Sequence, residues 1–217
     1  MRITRIRIVL LLGLSLFFVA LNAQTPADST KHKVFAATGL GFGFPIGGVK
    51  KTLSPRVSNT LGFNIPLKDS QFFLYPLIDF MTFGYDQNIK DEDYDYKLNN
   101  GSANIYGLSV MPGLNQFLGS LRLYAFAGPF AQLVYEPRVA TIPQSQVAKI
   151  EDKVYFTGGI RGGIGAHYQL GDFYLFIESG IMRNFTKMEG EPVWIQTAHG
   201  GLKTDITKLT DKLGSIF

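Results

Sequence analysis

The stretch from Val34 to Ile46 reads VFAATGLGFGFPI, and its side chains divide by parity. Val34, Ala36, Thr38, Leu40, Phe42, Phe44 and Ile46 share one face, while Ala37, Gly39, Gly41 and Gly43 share the other. Successive residues of a strand point to opposite sides, so this alternation marks a strand that is greasy on one face and nearly bare on the other. Soluble strands cluster near about 5–6 residues, whereas a strand tilted across a bilayer needs about 9–11. The length of this run meets the second requirement.

The same division recurs down the chain. In residues 154–170, Val154, Phe156, Ile160, Ile164, Tyr168 and Leu170 oppose Arg161, His167 and a set of glycines. In residues 173–187, Phe173, Leu175, Ile177, Ile181 and Phe185 oppose Glu178, Met182 and Asn184, and in residues 57–67 Val57, Leu61, Phe63 and Ile65 oppose Ser58, Thr60 and Asn64. Eight segments follow: 34–46, 56–67, 72–86, 103–114, 121–135, 154–170, 173–187 and 193–203. The connections after the second, fourth and sixth are short, ending with Gly171-Asp172 as a two-residue hairpin, and those after the third and fifth (87–102 and 136–153) are long and polar. Short turns at one end and long loops at the other, on an even number of strands, describe an outer-membrane barrel with both termini in the periplasm.

Aromatic placement agrees with this assignment, because lipid-facing rings gather at head-group depth. Phe44, Tyr106, Tyr135, Phe156 and Phe185 lie on greasy faces at the loop end, and Phe72, Tyr168 and Phe173 at the turn end. The reading is therefore all-β: an eight-stranded antiparallel up-and-down transmembrane β-barrel over residues 34–203. Residues 204–217 change period, since Ile206, Leu209, Leu213 and Ile216 form one stripe of a short amphipathic helix, which makes them a periplasmic tail. Pro76, Pro112 and Pro129 fall inside strands, where each removes a ladder donor, so bulges or shortened pairing are expected there. Segment three has aromatic residues on the same face as Asp79, which leaves the orientation of that face open.

The first 23 residues read as a secretory signal peptide: Arg2, Arg5 and Arg7 precede the apolar run Ile8–Leu21, and Ala23 supplies a small residue at the cleavage point. Residues 24–33 are then a periplasmic N-terminal segment. Of 21 basic residues the signal removes three and no acid, leaving 18 basic against 17 acidic, a balance without the basic stripe that nucleic acid requires. The chain has no cysteine, which excludes a disulfide scaffold and a lipid-anchored lipoprotein.

The run Leu108–Tyr135 (LSVMPGLNQFLGSLRLYAFAGPFAQLVY) places Pro-Gly before a short turn and Arg-Leu-Tyr at the entry to a Gly-Pro-containing strand. With Gly158–Leu170 and the export signal, it resembles the small outer-membrane β-barrel family that includes the PorT-like proteins. The resemblance implies a barrel of about eight strands in the outer membrane of a Gram-negative cell, some members being accessory parts of protein-secretion systems. It carries no role to individual residues.

The interior charges are Asp79, Arg122, Arg161 and Glu178. A two-residue turn at Gly171-Asp172 sets Glu178 opposite Gly165 and Arg161 opposite Met182, so Arg161 is out of step with Glu178. It is expected to reach another carboxylate, Asp79, or to meet Glu178 through water or sheet shear. Because an eight-stranded lumen is just wide enough for side chains to fill, these charges read as a structural network. The loop Asp91, Glu92, Asp93, Tyr94, Asp95 and Tyr96 offers carboxylates for calcium or for bridging lipopolysaccharide phosphates, and two tyrosines for a partner, although it lacks the glycine and glutamate of an EF-hand. Gly39, Gly41 and Gly43 complete no dinucleotide fingerprint, and His167 and His199 have no neighbouring ligand set or Ser-His spacing, so neither cofactor nor metal is expected.

The leading expectation is a non-enzymatic structural, assembly or secretion-accessory barrel with a filled lumen, its partners being outer-membrane lipid, lipopolysaccharide and a protein in a membrane complex. The alternatives are a lipid A or phospholipid modifying enzyme using groups such as His199 or Glu178, a narrow pore, and a soluble lipocalin-type barrel. The last would require Phe42, Ile164 and Ile177 to point inward.

Overall fold

Strand β1 (Phe35–Ile46) turns Leu40, Phe42 and Phe44 outward and buries Ala37, Gly39 and Gly43, so the parity of its sequence is the parity of the wall. The computed structural model describes residues 33–67, 71–88, 96–142, 147–171 and 173–207. The remaining strands are β2 (Leu53–Ser54), β3 (Arg56–Pro66), β4 (Phe72–Tyr85), β5 (Gly101–Leu118), β6 (Leu121–Ile142), β7 (Val147–Leu170), β8 (Phe173–Met188) and β9 (Glu191–Asp205). Each long strand pairs antiparallel with its neighbour in sequence, and β1 pairs with both β3 and β9, so eight strands close into a ring. The two-residue β2 continues the β3 side of β4 beyond Pro55, with its register displaced by one residue.

Phe42, Ile164 and Ile177 all point outward, the last two at 67% and 69% exposure, which rules out the lipocalin-type arrangement. The lumen holds what the outside lacks. One apolar cluster, built on Met81, Phe83, Ile105, Phe130, Val134 and Ile195, fills the loop end. Another, of Phe73, Tyr75, Leu77, Met111, Tyr124 and Phe126, fills the turn end. Lumen glycines make room for these rings: a Cβ on Gly43 would meet Phe83, and one on Gly39 would meet Phe176.

The prolines interrupt ladders without bulging them. Pro76 keeps its pairing with β5 and loses that with β3, while Pro112 and Pro129 face the same gap in the β5–β6 ladder, after which the register resumes unchanged. A strand residue donates to one neighbour only, so a missing N–H opens the ladder on one side. The register shift on the ring lies instead between Arg183 and Lys187, where β8 leaves β9 near Pro192.

Several boundaries differ from the sequence reading. β5 begins at Gly101 and continues through Asn115 and Gln116 to a two-residue turn at Gly119-Ser120, with Gly119 at φ 64°. Residues 136–153, expected as a loop, are mostly an extension of the β6–β7 hairpin paired as far as Ile142 and Val147. Along this extension Glu136, Pro137, Arg138 and Val139 are all buried while residues 149–154 are all exposed, so neither arm shows the apolar alternation of a wall strand. The connection Gly171-Asp172 does place Glu178 opposite Gly165 and Arg161 opposite Met182.

β9 includes Thr204 and Asp205, so the tail begins two residues later than read. Asp205 Oδ1 accepts from the Thr207 amide at 3.0 Å. Thr207 Oγ1 in turn accepts from the Val34 amide at 2.9 Å, and Lys33 Nζ lies 3.5 Å from Asp205, which ties the first strand to the last. The signal segment 1–23 and the rest of the tail, 208–217, lie outside the described residues.

Candidate functional site

Between the two apolar clusters lies a polar layer built from the inward positions of most of the ring strands. Asp79 projects from β4, so the undecided face of segment three is the lumen face, and Phe73, Tyr75 and Phe83 fill the interior beside it. Arg161 Nη1 donates to Asp79 Oδ2 at 2.5 Å, and Arg161 Nη2 lies 3.7 Å from Glu178 Oε1. Glu178 Oε2 accepts from the Tyr75 hydroxyl at 3.1 Å and the Tyr124 hydroxyl at 3.0 Å. All three charged side chains have no exposure to solvent. Thr60, Ser109, Gln132 and Thr197 surround them from β3, β5, β6 and β9, buried as well.

The structure thus brings together three of the four interior charges. Arg122 lies apart at the turn end, its guanidinium carbon 4.2 Å from the centroid of the Phe117 ring. Lys203, which the sequence reading did not select, is fully buried on β9 with its Nζ 3.9 Å from the Tyr124 ring centroid and 3.4 Å from His167 Nδ1. Its signal was parity: Val193, Ile195, Thr197, His199 and Lys203 alternate inward, but Gly200-Gly201 conceals the pattern.

A further ionic cluster sits at the loop mouth. Arg138 pairs with Glu136 at 2.8 Å and with Glu189, Tyr85 donates to Glu189 at 3.1 Å, and Tyr155 donates to Glu136 at 3.2 Å. The Val139 amide donates to Gln87 Oε1 at 3.4 Å, so the root of the projecting hairpin is anchored to the mouth. Glu136 and Arg138 continue the inward parity of Gln132 and Val134, and extending β6 past Tyr135 would have located them.

Ser58 Oγ and His199 Nε2 lie 2.9 Å apart. They belong to β3 and β9, and Gly41 of β1 sits between them in register, leaving no side chain in the way. This is a Ser-His pair that no spacing along the chain announces. Both residues are buried, and among the described residues no group of three His, Cys, Asp or Glu side chains is placed to hold a metal. A concavity of about 940 Å³ reaches His199 and Glu178 but is also lined by outward Leu40, Phe42, Ile164 and Ile177. It therefore straddles the wall where Gly41, Gly165 and Gly200 thin it, and is not an enclosed chamber.

Of the belt aromatics, Phe44, Phe72, Tyr106, Phe156, Tyr168, Phe173 and Phe185 are exposed on the outer wall and Tyr135 is half-buried against Tyr106. Asp91, Glu92, Asp93, Tyr94 and Asp95 lie outside the described residues, and Tyr96 is exposed.

No protein-family model and no curated protein matches the chain. Among solved structures it is similar to Neisserial surface protein A, at 10% identity and a TM-score of 0.46, over 80% of this chain and 96% of that one. It is similar to the N-terminal β-barrel domain of Pseudomonas aeruginosa OprF at 11% identity and 0.41, over 79% and 98%. The attachment invasion locus protein Ail of Yersinia pestis gives 10% and 0.39, over 79% and 96%.

Proposed function

We propose that this protein is an integral outer-membrane barrel, exported by the segment 1–23, with a side-chain-filled lumen and no enzymatic activity. In this reading it serves a structural, assembly or secretion-accessory role through its loop-side hairpin or its periplasmic tail. The observation that carries it is the inverted distribution of side chains: Asp79, Arg161, Glu178 and Lys203 inside, Ile164, Ile177, Phe156 and Phe185 outside. In water such a wall would be an aggregation surface, far beyond the few hundred Å² of contiguous apolar patch usual for a soluble protein. In a bilayer it is the solvated face. Apolar clusters on both sides of the charge layer support a closed interior over a pore.

Run boiled and unboiled on a detergent gel, the protein from the membrane fraction is expected to migrate faster unboiled and to stay in the pellet after a carbonate wash. Equal migration with release into the soluble fraction overturns the membrane reading.

The enzyme alternative now has a specific residue to test, since Ser58 and His199 form a hydrogen-bonded pair. A nucleophile must be reachable by substrate, and Ser58 is fully buried. A fluorophosphonate probe is expected to leave the folded barrel unlabelled. Labelling that disappears in Ser58→Ala would replace the non-enzymatic reading with an acyl-transfer one.

A further inference from the structure

On the outer wall, Pro129, Ile160, Arg183 and Trp194 form one transverse row, because each is the register partner of the next across β6, β7, β8 and β9. The adjoining row toward the turn end carries Ala127, Gly162 and Ile181. The small side chains leave a shallow outer groove of about 560 Å³, bounded by Ile160, Ile181, Arg183 and Trp194. Arg183 is exposed between outward Ile181 and Phe185, one outward position inside the aromatic belt. Its guanidinium carbon lies 5.2 Å from the Trp194 ring centroid, and among the described residues no carboxylate pairs with it.

A cation on the lipid face is unfavourable in hydrocarbon and becomes tolerable near head-group depth, where an anion can neutralise it. A guanidinium presents its N–H groups as a planar fork that matches phosphate, and a tryptophan ring behind it holds the fork in one orientation. Lys187, also exposed near the loop end of β8, adds positive charge to the same side.

Resting on the membrane orientation proposed above, we infer that Arg183 and Trp194 bind a phosphate of an outer-leaflet glycolipid, with one acyl chain lying along the Ala127–Gly162 floor. The glycolipid is the source, since the groove meets its cation at the loop end, which that orientation places in the outer leaflet.

Trp194 is the chain's single tryptophan, so its fluorescence reports on the site. The protein purified from membranes is titrated in detergent with bis-phosphorylated lipid A, with dephosphorylated lipid A, with phosphatidylglycerol and with inorganic phosphate. The expected result is a saturable change with the phosphorylated glycolipid that weakens about tenfold or more in Arg183→Ala, with Arg183→Lys in between. Because Arg183→Ala also alters the surroundings of the ring, the lipid retained per barrel is counted by native mass spectrometry on the same samples. An unchanged affinity in Arg183→Ala, or an equal response to dephosphorylated lipid A, overturns the site. An equal response to phosphatidylglycerol or free phosphate overturns the glycolipid assignment. The boiled and unboiled gel is run in parallel: a normal shift with no lipid effect defeats this inference alone, whereas no shift defeats the membrane reading beneath it.

Discussion

Arg161→Ala is expected to lower the thermal unfolding midpoint of the detergent-solubilised barrel by roughly 10 °C, the largest effect of any single side-chain truncation in the lumen. The arginine is the cation between Asp79 at 2.5 Å and Glu178 at 3.7 Å, with all three groups closed off from solvent. Removing one member of a buried ionic set leaves the others uncompensated, which costs about 3–5 kcal/mol. For a chain of this size each kcal/mol moves the midpoint by about 2–4 °C. The Tyr75 and Tyr124 hydroxyls solvate only one oxygen of Glu178 and leave Asp79 to the arginine. Neutralising the whole set, as in Asp79→Asn/Arg161→Met/Glu178→Gln, is expected to recover most of the loss, because it removes the charges as well as their partner. Circular dichroism melts of the three proteins decide it. A shift below about 2 °C for Arg161→Ala would mean that the layer is hydrated well enough to hold unpaired carboxylates.

Gly41→Val is expected to prevent closure of the ring, with no fast-migrating unboiled band and no protease-resistant core. Gly41 lies on the seam between the first and last strands, opposite His199, and a Cβ built there would overlap the carbonyl oxygen of Ala198. The obstacle is backbone, which cannot rotate away as a side chain does, so the strands would have to part. The new side chain would also enter the gap spanned by the Ser58–His199 hydrogen bond. Leu40→Val, one residue away and outward at 68% exposure, is the control and should leave closure unchanged. If Gly41→Val yields a normal unboiled band and melting point, the close approach at the seam is not a requirement of the fold.

The β4 strand shows where the reading from sequence stopped. Its outward and inward positions are both apolar, so parity alone left Asp79 unassigned. Its buried face is aromatic because the lumen opposite is glycine-rich: a Cβ on Gly113 would meet Phe73, one on Gly62 would meet Tyr75, and one on Gly43 would meet Phe83. That complementarity runs between strands, from the paired β3 and β5 and from β1 beyond them, and the alternation of β4 alone does not show it. The loop-mouth cluster around Arg138 was missed for a different reason, since Glu136, Pro137, Arg138 and Val139 are all buried at the mouth and the greasy-outward alternation of the wall ends there.

By itself the sequence determined that the chain forms long strands, which face of β1, β3, β7 and β8 is greasy, where the aromatic belts lie and how β7 pairs with β8. Each of these follows from side-chain alternation or from the length of one tight turn, and both are local. The tertiary structure alone decided that Arg161 meets Asp79 across 82 positions of sequence, that Ser58 meets His199 across 141, and that Arg183 lines up with Trp194 on the outer wall. Closure of the ring sets those contacts, and closure depends on the register of every strand pair together with the glycines that allow the first strand to approach the last.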